Sequence, residues 1–327
     1  MRSWNRLHAV LLLAASSALL PAVAQAAEAY PSKPVRIVVG FPASGMSDNL
    51  ARSLAATLSK QLGQQFLIDN KPGAGTTIAA DNVAKSPPDG YTLFMQDLTS
   101  HAINASLYAK LPYDPVTDFT PITMVAVTPL VMVVNPGSGI DSVKDLVARA
   151  KAKPGSLNYG SSGLGTILHL SGELFKQRTG SDLNHVPYKG ATGATTAMLG
   201  GEIQVTFATT PTAVGLVNGG KVKAIAVTQT KRTSALPDVP TMQEAGVRDY
   251  DVALFNGVLA PAALPANLQS RLREEIIKAM QTPEVKKFYH TVSAEQITST
   301  PDQLAAHMRA EIKKYAQLVK ASGARAE

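Results

Sequence analysis

Two short segments rich in glycine and serine each follow a predicted strand and precede a predicted helix. They are Gly-Phe-Pro-Ala-Ser-Gly at residues 40–45 and Gly-Ser-Ser-Gly-Leu-Gly-Thr at residues 160–166. Backbone N–H groups at the start of a helix have no carbonyl partner and attract anions, and carboxylates fit them as well as phosphates do. One such loop alone is more often an ordinary strand–helix connection. Two of them in one chain favour the binding of an acidic small molecule.

Catalytic and metal-binding alternatives find weaker support in the same residues. Ser161 and Ser162 lack the G-x-S-x-G spacing of a nucleophile elbow, and no acid is placed beside His169 or His185. Neither Gly-Ala-Gly-Thr at residues 73–76 nor Gly-Leu-Gly-Thr at residues 163–166 has the Gly-Lys-Ser/Thr ending of a phosphate-binding P-loop, and the histidines show no metal-ligand spacing. For His169, packing or hydrogen bonding beneath the loop is the simpler interpretation. We therefore expect no catalytic residue, no metal and no cofactor, and a secreted hydrolase is the weaker alternative.

The elements that position the first loop are predicted from two patterns of apolar residues. The β-branched run at residues 35–39 is typical of a buried strand. Leucines at positions 50, 54, 58 and 62 recur at helical spacing, Gly63 stops the helix, and Ser47 or Asp48 is the predicted N-cap. Strands and helices continue to alternate along the chain. This alternation predicts an α/β fold with parallel sheets, in which ligands bind outside the carboxyl ends of the strands.

Two apolar stretches are predicted to cross between two domains. Residues 125–134 have the pattern of a long strand, in which Pro129 indicates an edge or a bend. Residues 252–259 have the pattern of the return strand. The predicted organisation is a signal peptide at residues 1–26, a first lobe formed by residues 27–128 together with 252–327, and a second lobe formed by residues 129–251.

The start of the chain predicts export. Arg2 and Arg6 precede an apolar run at residues 10–20 that is too short for a membrane span, and Ala-Gln-Ala at residues 24–26 is typical of a cleavage site. We therefore expect a soluble, monomeric protein of the periplasm. The chain has no cysteine, which excludes disulfides and a lipid anchor on cysteine. Cleavage would remove two arginines and lower the formal net charge from +7 to +5, and no basic arm gathers this charge, so nucleic acid is not an expected partner.

Eight short segments, spread over nearly the whole predicted mature chain, carry a resemblance to one protein family. They are YPSKPVRIV at 30–38, the loop at 41–48, NKPGAG at 70–75, PDGYTL at 88–93, YGSSG at 159–163, HL at 169–170, ELF at 173–175 and VPYKG at 186–190. Together they resemble the TctC/Bug family, the periplasmic solute receptors of tripartite tricarboxylate transporters.

The resemblance implies a type II periplasmic-binding-protein fold, with two sheet-containing lobes, two hinge crossings and a ligand cleft between the lobes. It implies capture of a small organic carboxylate by hinge closure and its delivery to the membrane subunits of a transporter. We expect dicarboxylates, aliphatic or aromatic, ahead of amino acids or nicotinate-like acids, with a periplasmic sensor as the alternative. The implied ligand-binding residues are Phe41, Ala43, Ser44, Gly45, Ser47, Asp48, Gln96, Asp97, Thr99, Ser161, Ser162, Gly163, Gly165, Thr166, His169, Tyr188 and Lys189.

Four positions depart from the family pattern. Ser44 stands where the family usually has glycine, which adds a hydroxyl and restricts the backbone. Ala208 replaces a frequent aspartate, and Asn256 stands where many members have tryptophan. Asp97 places a negative charge at the predicted cleft, where it would repel a second carboxylate or bind an amine. These departures bear on the choice of ligand.

Overall fold

A computed structural model of the protein describes residues 30–326, and the predicted signal peptide lies outside the described residues. The elements below belong to a compact unit that begins at Lys33. The strands are β1 (Val35–Val39), β2 (Phe66–Asn70), β3 (Thr92–Asp97), β4 (Phe119–Val134), β5 (Asn158–Ser161), β6 (Asn184–Pro187), β7 (Val205–Thr209), β8 (Lys223–Val227), β9 (Ala253–Pro261) and β10 (Glu295–Gln296). The α-helices are α1 (Met46–Leu62), α2 (Thr77–Ala84), α3 (Leu98–Leu107), α4 (Val143–Ala152), α5 (Ile167–Thr179), α6 (Ala191–Leu199), α7 (Thr210–Asn218), α8 (Ala266–Met280), α9 (Pro283–Thr291) and α10 (Pro301–Ser322).

Strand β1 lies between two parallel neighbours. Ile37 is opposite Ile68 of β2 on one side and Leu93 of β3 on the other. The three valines at positions 35, 38 and 39 are completely buried, as expected for a parallel strand covered on both faces. The outer edge of β3 pairs with β9 in the antiparallel sense, so this sheet is mixed and not purely parallel.

Strand β4 is a single run of 16 residues whose two parts pair with different strands. From Phe119 to Pro129 it runs antiparallel to β9, and from Leu130 to Val134 it runs antiparallel to β7 and β8. The exchange of partners falls at Pro129, which has no N–H to donate to a ladder. The sequence pattern predicted a strand only from residue 125, so the strand begins six residues earlier than predicted.

The two faces of the second half of β4 belong to different apolar cores. Leu130, Met132 and Val134 pack with α5 residues, whereas Val131 and Val133 pack with residues of α6 and α7. Strand β7 continues this sheet from β4, and β5 follows it with parallel pairing to β7 and to β6. The complete order is β2-β1-β3-β9-β4-β7-β5-β6, with β8 and β10 paired to β4.

Both glycine loops lie where a parallel strand meets a helix, β1 with α1 and β5 with α5, as the sequence predicted. Gly63 ends α1 in the left-handed conformation, and its amide donates to the Ser59 carbonyl, so the predicted helix stop is confirmed. Over residues 30–326, none of the helices has the length and apolar character needed to cross a membrane.

Candidate ligand-binding site

The first loop ends in a helix whose N-cap carries no side chain. Gly45 is the N-cap of α1 and offers no side-chain acceptor to the first amides of the helix. The prediction that Ser47 or Asp48 caps this helix is wrong, because both residues lie within its first turn. Ser47 Oγ instead accepts a hydrogen bond of 2.8 Å from Asn256 Nδ2 on β9. The first amides of α1 therefore keep their capacity to bind an external acceptor.

Asp48 holds the first loop in place. Its Oδ2 accepts hydrogen bonds of 2.8 Å from the Ser44 amide and from Arg52 Nε, and its Oδ1 accepts one of 2.9 Å from Asn70 Nδ2. Asn70 Nδ2 also donates to the Phe41 carbonyl at 3.0 Å. Burial by itself would raise the pKa of the Asp48 carboxyl, but the hydrogen bonds from Arg52, Asn70 and Ser44 together outweigh burial and lower this pKa.

Ser44 is held in a conformation that favours glycine. Its φ is 71°, and hydrogen bonds to Asp48 and from Asn49 Nδ2 keep it there. We expect Ser44→Gly to leave the free energy of unfolding unchanged or to raise it by up to about 1 kcal/mol, because relief of backbone strain offsets the larger chain entropy of glycine. Chemical denaturation measures this change. Ser44→Val, a branched side chain at the same φ, is the control that should lose stability, and a glycine variant less stable than the valine variant would contradict the expectation.

The second loop leads directly into α5. Thr166 is the N-cap of this helix, and its Oγ1 donates to the Gly163 carbonyl at 2.8 Å. Gly165 has φ 74°, and a Cβ at this position would lie 2.4 Å from Leu107 Cδ1 of α3. Glycine is therefore required at position 165 by the backbone conformation and by the close approach of α3.

Three aromatic rings form a stack that contacts the second loop. The His185 ring lies between His169, at a centroid distance of 4.1 Å, and Tyr159, at 4.8 Å. His185 Nε2 is 2.7 Å from Ser161 Oγ, and His169 Nδ1 accepts a hydrogen bond of 3.1 Å from the Gly165 amide. Burial lowers the pKa of His169 and lowers that of His185 to about 4. Both imidazoles are therefore neutral near pH 7 and support the loop by hydrogen bonding.

Ser161 and His185 are in hydrogen-bond contact like a catalytic serine and its base, but within the described residues they lack two features of a catalytic pair: an accessible serine and an acid that orients the histidine. Ser161 is fully buried, and its Oγ lies 3.1 Å from both the carbonyl oxygen and the amide nitrogen of Gly163. Within residues 30–326 no carboxylate is hydrogen-bonded to His185, so the ring lacks the orienting acid of a triad. The same residues contain no group of His, Asp and Glu side chains arranged to hold a metal ion. The contact therefore shapes the loop.

Asp97 ends β3 and caps α3. Its Oδ1 accepts from the amides of Thr99 and Ser100 at 2.9 and 3.0 Å, and its Oδ2 accepts from Ser100 Oγ at 3.0 Å. Burial raises the pKa of this carboxyl. The neighbouring Gln96 is buried and donates to Thr76 Oγ1 at 3.1 Å, so its amide is used within the fold.

A cavity of about 420 Å³ lies where the first loop, α3 and the second loop meet. Five of the seventeen predicted ligand-binding residues line it: Phe41, Asp97, Ser162, Gly165 and Thr166. The other lining residues come from α3, from the start of α5, from neighbouring loops and strands and from the segment after α10: Gly75, Ser100, Ile103, Asn104, Leu107, Tyr108, Leu164, Ile167, Leu254, Arg325 and Ala326. Sequence reasoning missed Arg325, which belongs to no motif.

The remaining twelve predicted residues do not line this cavity, and their assignment as ligand contacts stays a prediction. Several of them support residues that do line it, as the bonds of Asp48, Ser161 and His169 show. Lys189 is exposed beside the second loop. The twelve are Ala43, Ser44, Gly45, Ser47, Asp48, Gln96, Thr99, Ser161, Gly163, His169, Tyr188 and Lys189.

Comparisons with known proteins agree on one family. The model of the tripartite tricarboxylate transporter family receptor (TctC) matches residues 50–324. Protein BugT of Bordetella pertussis is 35% identical over 300 residues, which cover 91% of this chain and 92% of BugT. An R. palustris protein solved with adipate is 36% identical with a TM-score of 0.78, over 90% of this chain and 98% of that one. MatC from Rhodopseudomonas palustris, solved with bound malate, is 29% identical with a TM-score of 0.73, over 89% of this chain and 100% of that one. The chain therefore shares the α/β fold of these solved proteins.

Proposed function

This chain belongs to the tripartite tricarboxylate transporter receptor family, and we propose that it captures a small dicarboxylate and delivers it to a membrane transporter of that type. The observation that carries the proposal is the cavity between the two glycine loops, where the start of α5 meets apolar side chains of α3. The relatives solved with adipate and with malate support an aliphatic dicarboxylate as the ligand. The predicted export signal supports a periplasmic location.

The start of α5 is the proposed site for one carboxylate. The aligned peptide dipoles of this 13-residue helix place partial positive charge at its first amides. Ser162 adds a hydroxyl group beside these amides, and Gly165 allows close approach to the backbone. Hydrogen bonds from amides to a carboxylate are charge-assisted, and the amides are already oriented by the helix. The site therefore binds an anion without a cationic side chain of its own.

The proposed site for the hydrocarbon part of the ligand is apolar. Ile103 and Leu107 of α3 and Leu254 of β9 line the same cavity as the start of α5. Removal of apolar surface from water contributes roughly 25 cal/mol for each Å² buried. An acid with a carbon chain or ring between its carboxylates fits this combination better than a purely polar ligand does.

Ligand capture by closure of two lobes is part of the proposal. The proposed lobes are residues 27–128 with 252–327 and residues 129–251. The exchange of partners along β4 at Pro129 supports a hinge at the first crossing, since the strand is paired differently on the two sides of this residue. Relative rotation of the lobes about such crossings would enclose the ligand, as in other hinged binding proteins.

Thermal unfolding with a panel of organic acids tests the proposed function. We expect a dicarboxylate such as adipate or malate at 100 times its Kd to stabilise the protein by about 2.7 kcal/mol, an increase of roughly 4 °C in Tm. Gly165→Val is the comparison variant: a branched side chain at φ 74° and against Leu107 distorts the second loop, so the acid should raise its Tm less than that of the wild type. A panel in which no acid raises the Tm of the wild type contradicts the proposal.

Asp97→Asn tests the charge next to the bound acid. Asparagine is as good an N-cap as aspartate, so the substitution removes the charge and keeps α3 capped. We expect dicarboxylates to bind about three- to tenfold tighter, because a like charge at the cavity wall is removed. Isothermal titration calorimetry measures the change. A weaker affinity for every acid, together with tighter binding of amines to the wild type, would instead assign Asp97 as a partner of an ammonium group.

A further inference from the structure

Arg325 lines the cavity although it is far from all three loops in sequence. Helix α10 is followed by Gly323, whose left-handed conformation (φ 67°) turns the chain away from the helix axis. Ala324 is then buried, and the Ala326 amide donates a hydrogen bond of 2.9 Å to the carbonyl of Leu107, the last residue of α3. Arg325 lies between these two anchors. Its backbone is therefore fixed at the edge of the cavity, and only its side chain is free to move.

The guanidinium of Arg325 is unpaired in the described part of the chain. No hydrogen bond or ion pair joins it to any residue from 30 to 326, whereas Arg36, Arg52 and Arg149 each contact a carboxylate. Unpaired arginines on a surface are common, and this one is distinguished by its position at the cavity. Among the described residues that line the cavity, it is the one with a cationic side chain.

The charges of a bound dicarboxylate favour a cation at this place. The start of α5 compensates one carboxylate only, and Asp97 adds a further negative charge to the wall of the same cavity. Asp97 and Arg325 form no ion pair within 4.0 Å, so the guanidinium is not already neutralised by this neighbour. A planar guanidinium matches a carboxylate with two parallel hydrogen bonds, which gives both strength and direction.

We infer that Arg325 binds the second carboxylate of the ligand and thereby selects dicarboxylates over monocarboxylates. This inference rests on the proposed function and adds a contact outside the predicted loops. The first carboxylate lies at the start of α5, the hydrocarbon part contacts Ile103 and Leu254, and the second carboxylate lies at the mouth of the cavity. The hydrogen bond between Ala326 and Leu107 holds the backbone of Arg325 at a set distance from the second loop, because Leu107 also contacts Gly165 of that loop.

Isothermal titration calorimetry with adipate and with hexanoate, a monocarboxylate with the same number of carbon atoms, tests this role. We expect Arg325→Gln to weaken adipate binding about ten- to hundredfold, the range for loss of a charge-assisted hydrogen-bonded pair, and to change hexanoate binding less than about threefold. Arg325→Lys keeps the charge and loses the paired geometry, so it should fall between wild type and Arg325→Gln. Arg309→Gln removes the same charge from an exposed position on α10 that does not line the cavity, and it should leave both affinities unchanged.

A second pair of variants tests the position of the side chain and leaves the arginine in place. Ala326→Pro removes the N–H that donates to the Leu107 carbonyl, so the segment is released from α3 while Arg325 remains. We expect the same selective loss of adipate binding as in Arg325→Gln, with Ala326→Gly, which keeps the N–H, close to wild type. Thermal unfolding without ligand shows whether each variant is folded.

The outcomes separate the two proposals. Equal effects of Arg325→Gln and Arg309→Gln on adipate, or equal effects of Arg325→Gln on adipate and hexanoate, would overturn the role of Arg325 while acid binding by the wild type still stands. Failure of the wild type to bind either acid, or any other acid of the panel, would overturn the proposed function, and the role of Arg325 would fall with it.

Discussion

Gly172→Ala is expected to lower the Tm by roughly 2–5 °C, even though alanine is the better helix former. Gly172 lies in the middle of α5, and a Cβ there would be 2.1 Å from Cε2 and 2.4 Å from Cζ of Tyr159. The Tyr159 ring cannot give way, because it is completely buried, its hydroxyl donates to Glu173 Oε1 at 2.6 Å, and its face stacks on His185. Overpacking of this kind costs about 1–3 kcal/mol, which corresponds to several degrees for a chain of this size.

Gly215→Ala is the matched control for this substitution. Gly215 also lies in the middle of a helix, α7, but a Cβ at this position has no atom within 4 Å. The same change of residue should therefore stabilise the protein by up to about 1 kcal/mol through helix propensity alone. Differential scanning calorimetry measures the Tm of both variants and shows whether the two substitutions have opposite effects. Two increases in Tm would show that Tyr159 moves freely and that the close packing of α5 on β5 is not required.

The Gly172→Ala substitution should also weaken ligand binding. Tyr159 stacks on His185, and His185 contacts Ser161 of the second loop. A ring displaced by the new methyl group would move these supports, so we expect weaker dicarboxylate binding in Gly172→Ala and unchanged binding in Gly215→Ala. Binding measured well below the Tm of both variants separates this effect from loss of folded protein.

Asp48→Asn is expected to lower the free energy of unfolding by about 1.5–3 kcal/mol and to weaken ligand binding at the first loop. The carboxylate is only 1% exposed and accepts hydrogen bonds from Ser44, Arg52 and Asn70, which an amide group cannot all replace. Arg52 is half exposed, so water screens its charge, and most of the loss comes from the Ser44 amide and Asn70. Asp145→Asn, at an aspartate that is 29% exposed and paired with an arginine four residues on, should change stability less than Asp48→Asn does.

The effect of Asp48→Asn should depend on pH in a defined direction. The pKa of Asp48 is lower in the folded protein than in the unfolded chain, so its contribution to stability is complete above the unfolded value and is lost as the pH falls through the folded value. The difference between wild type and variant should be constant from about pH 5 to 7 and shrink below about pH 4. Urea unfolding at a series of pH values measures this difference, and a difference that grows on acidification would contradict the assignment.

Local sequence patterns predicted the strand, the helix end and the loops that position the site. The strand at residues 35–39, the helix stop at Gly63 and the position of both glycine loops are set by short runs of neighbouring residues, and each is found in the structure. The interpretation of His169 as a support beneath the loop agrees with its hydrogen bond from the Gly165 amide. Propensity and periodicity are sufficient at such places, because the determining contacts are close in sequence.

Three structural features that the sequence did not predict depend on contacts between residues that are distant in the chain or on shared side-chain hydrogen bonds. The N-cap of α1 is Gly45 because the Asp48 side chain turns back to the Ser44 amide and is shared with Arg52 and Asn70. The early start of β4 depends on its pairing with β9, more than a hundred residues later in the chain. Arg325 reaches the cavity only because the chain after α10 is attached to the end of α3. None of these three arrangements has a sequence motif.

The continuous strand β4 restricts how the length of this protein can vary among relatives. Its second half directs Leu130, Met132 and Val134 to one core and Val131 and Val133 to another. Because side chains alternate strictly along a strand, one residue inserted next to Pro129 would exchange these two sets and place each in the wrong core. Insertions and deletions should therefore collect in the turns around the sheets, and the 16 residues of β4 should keep a constant length.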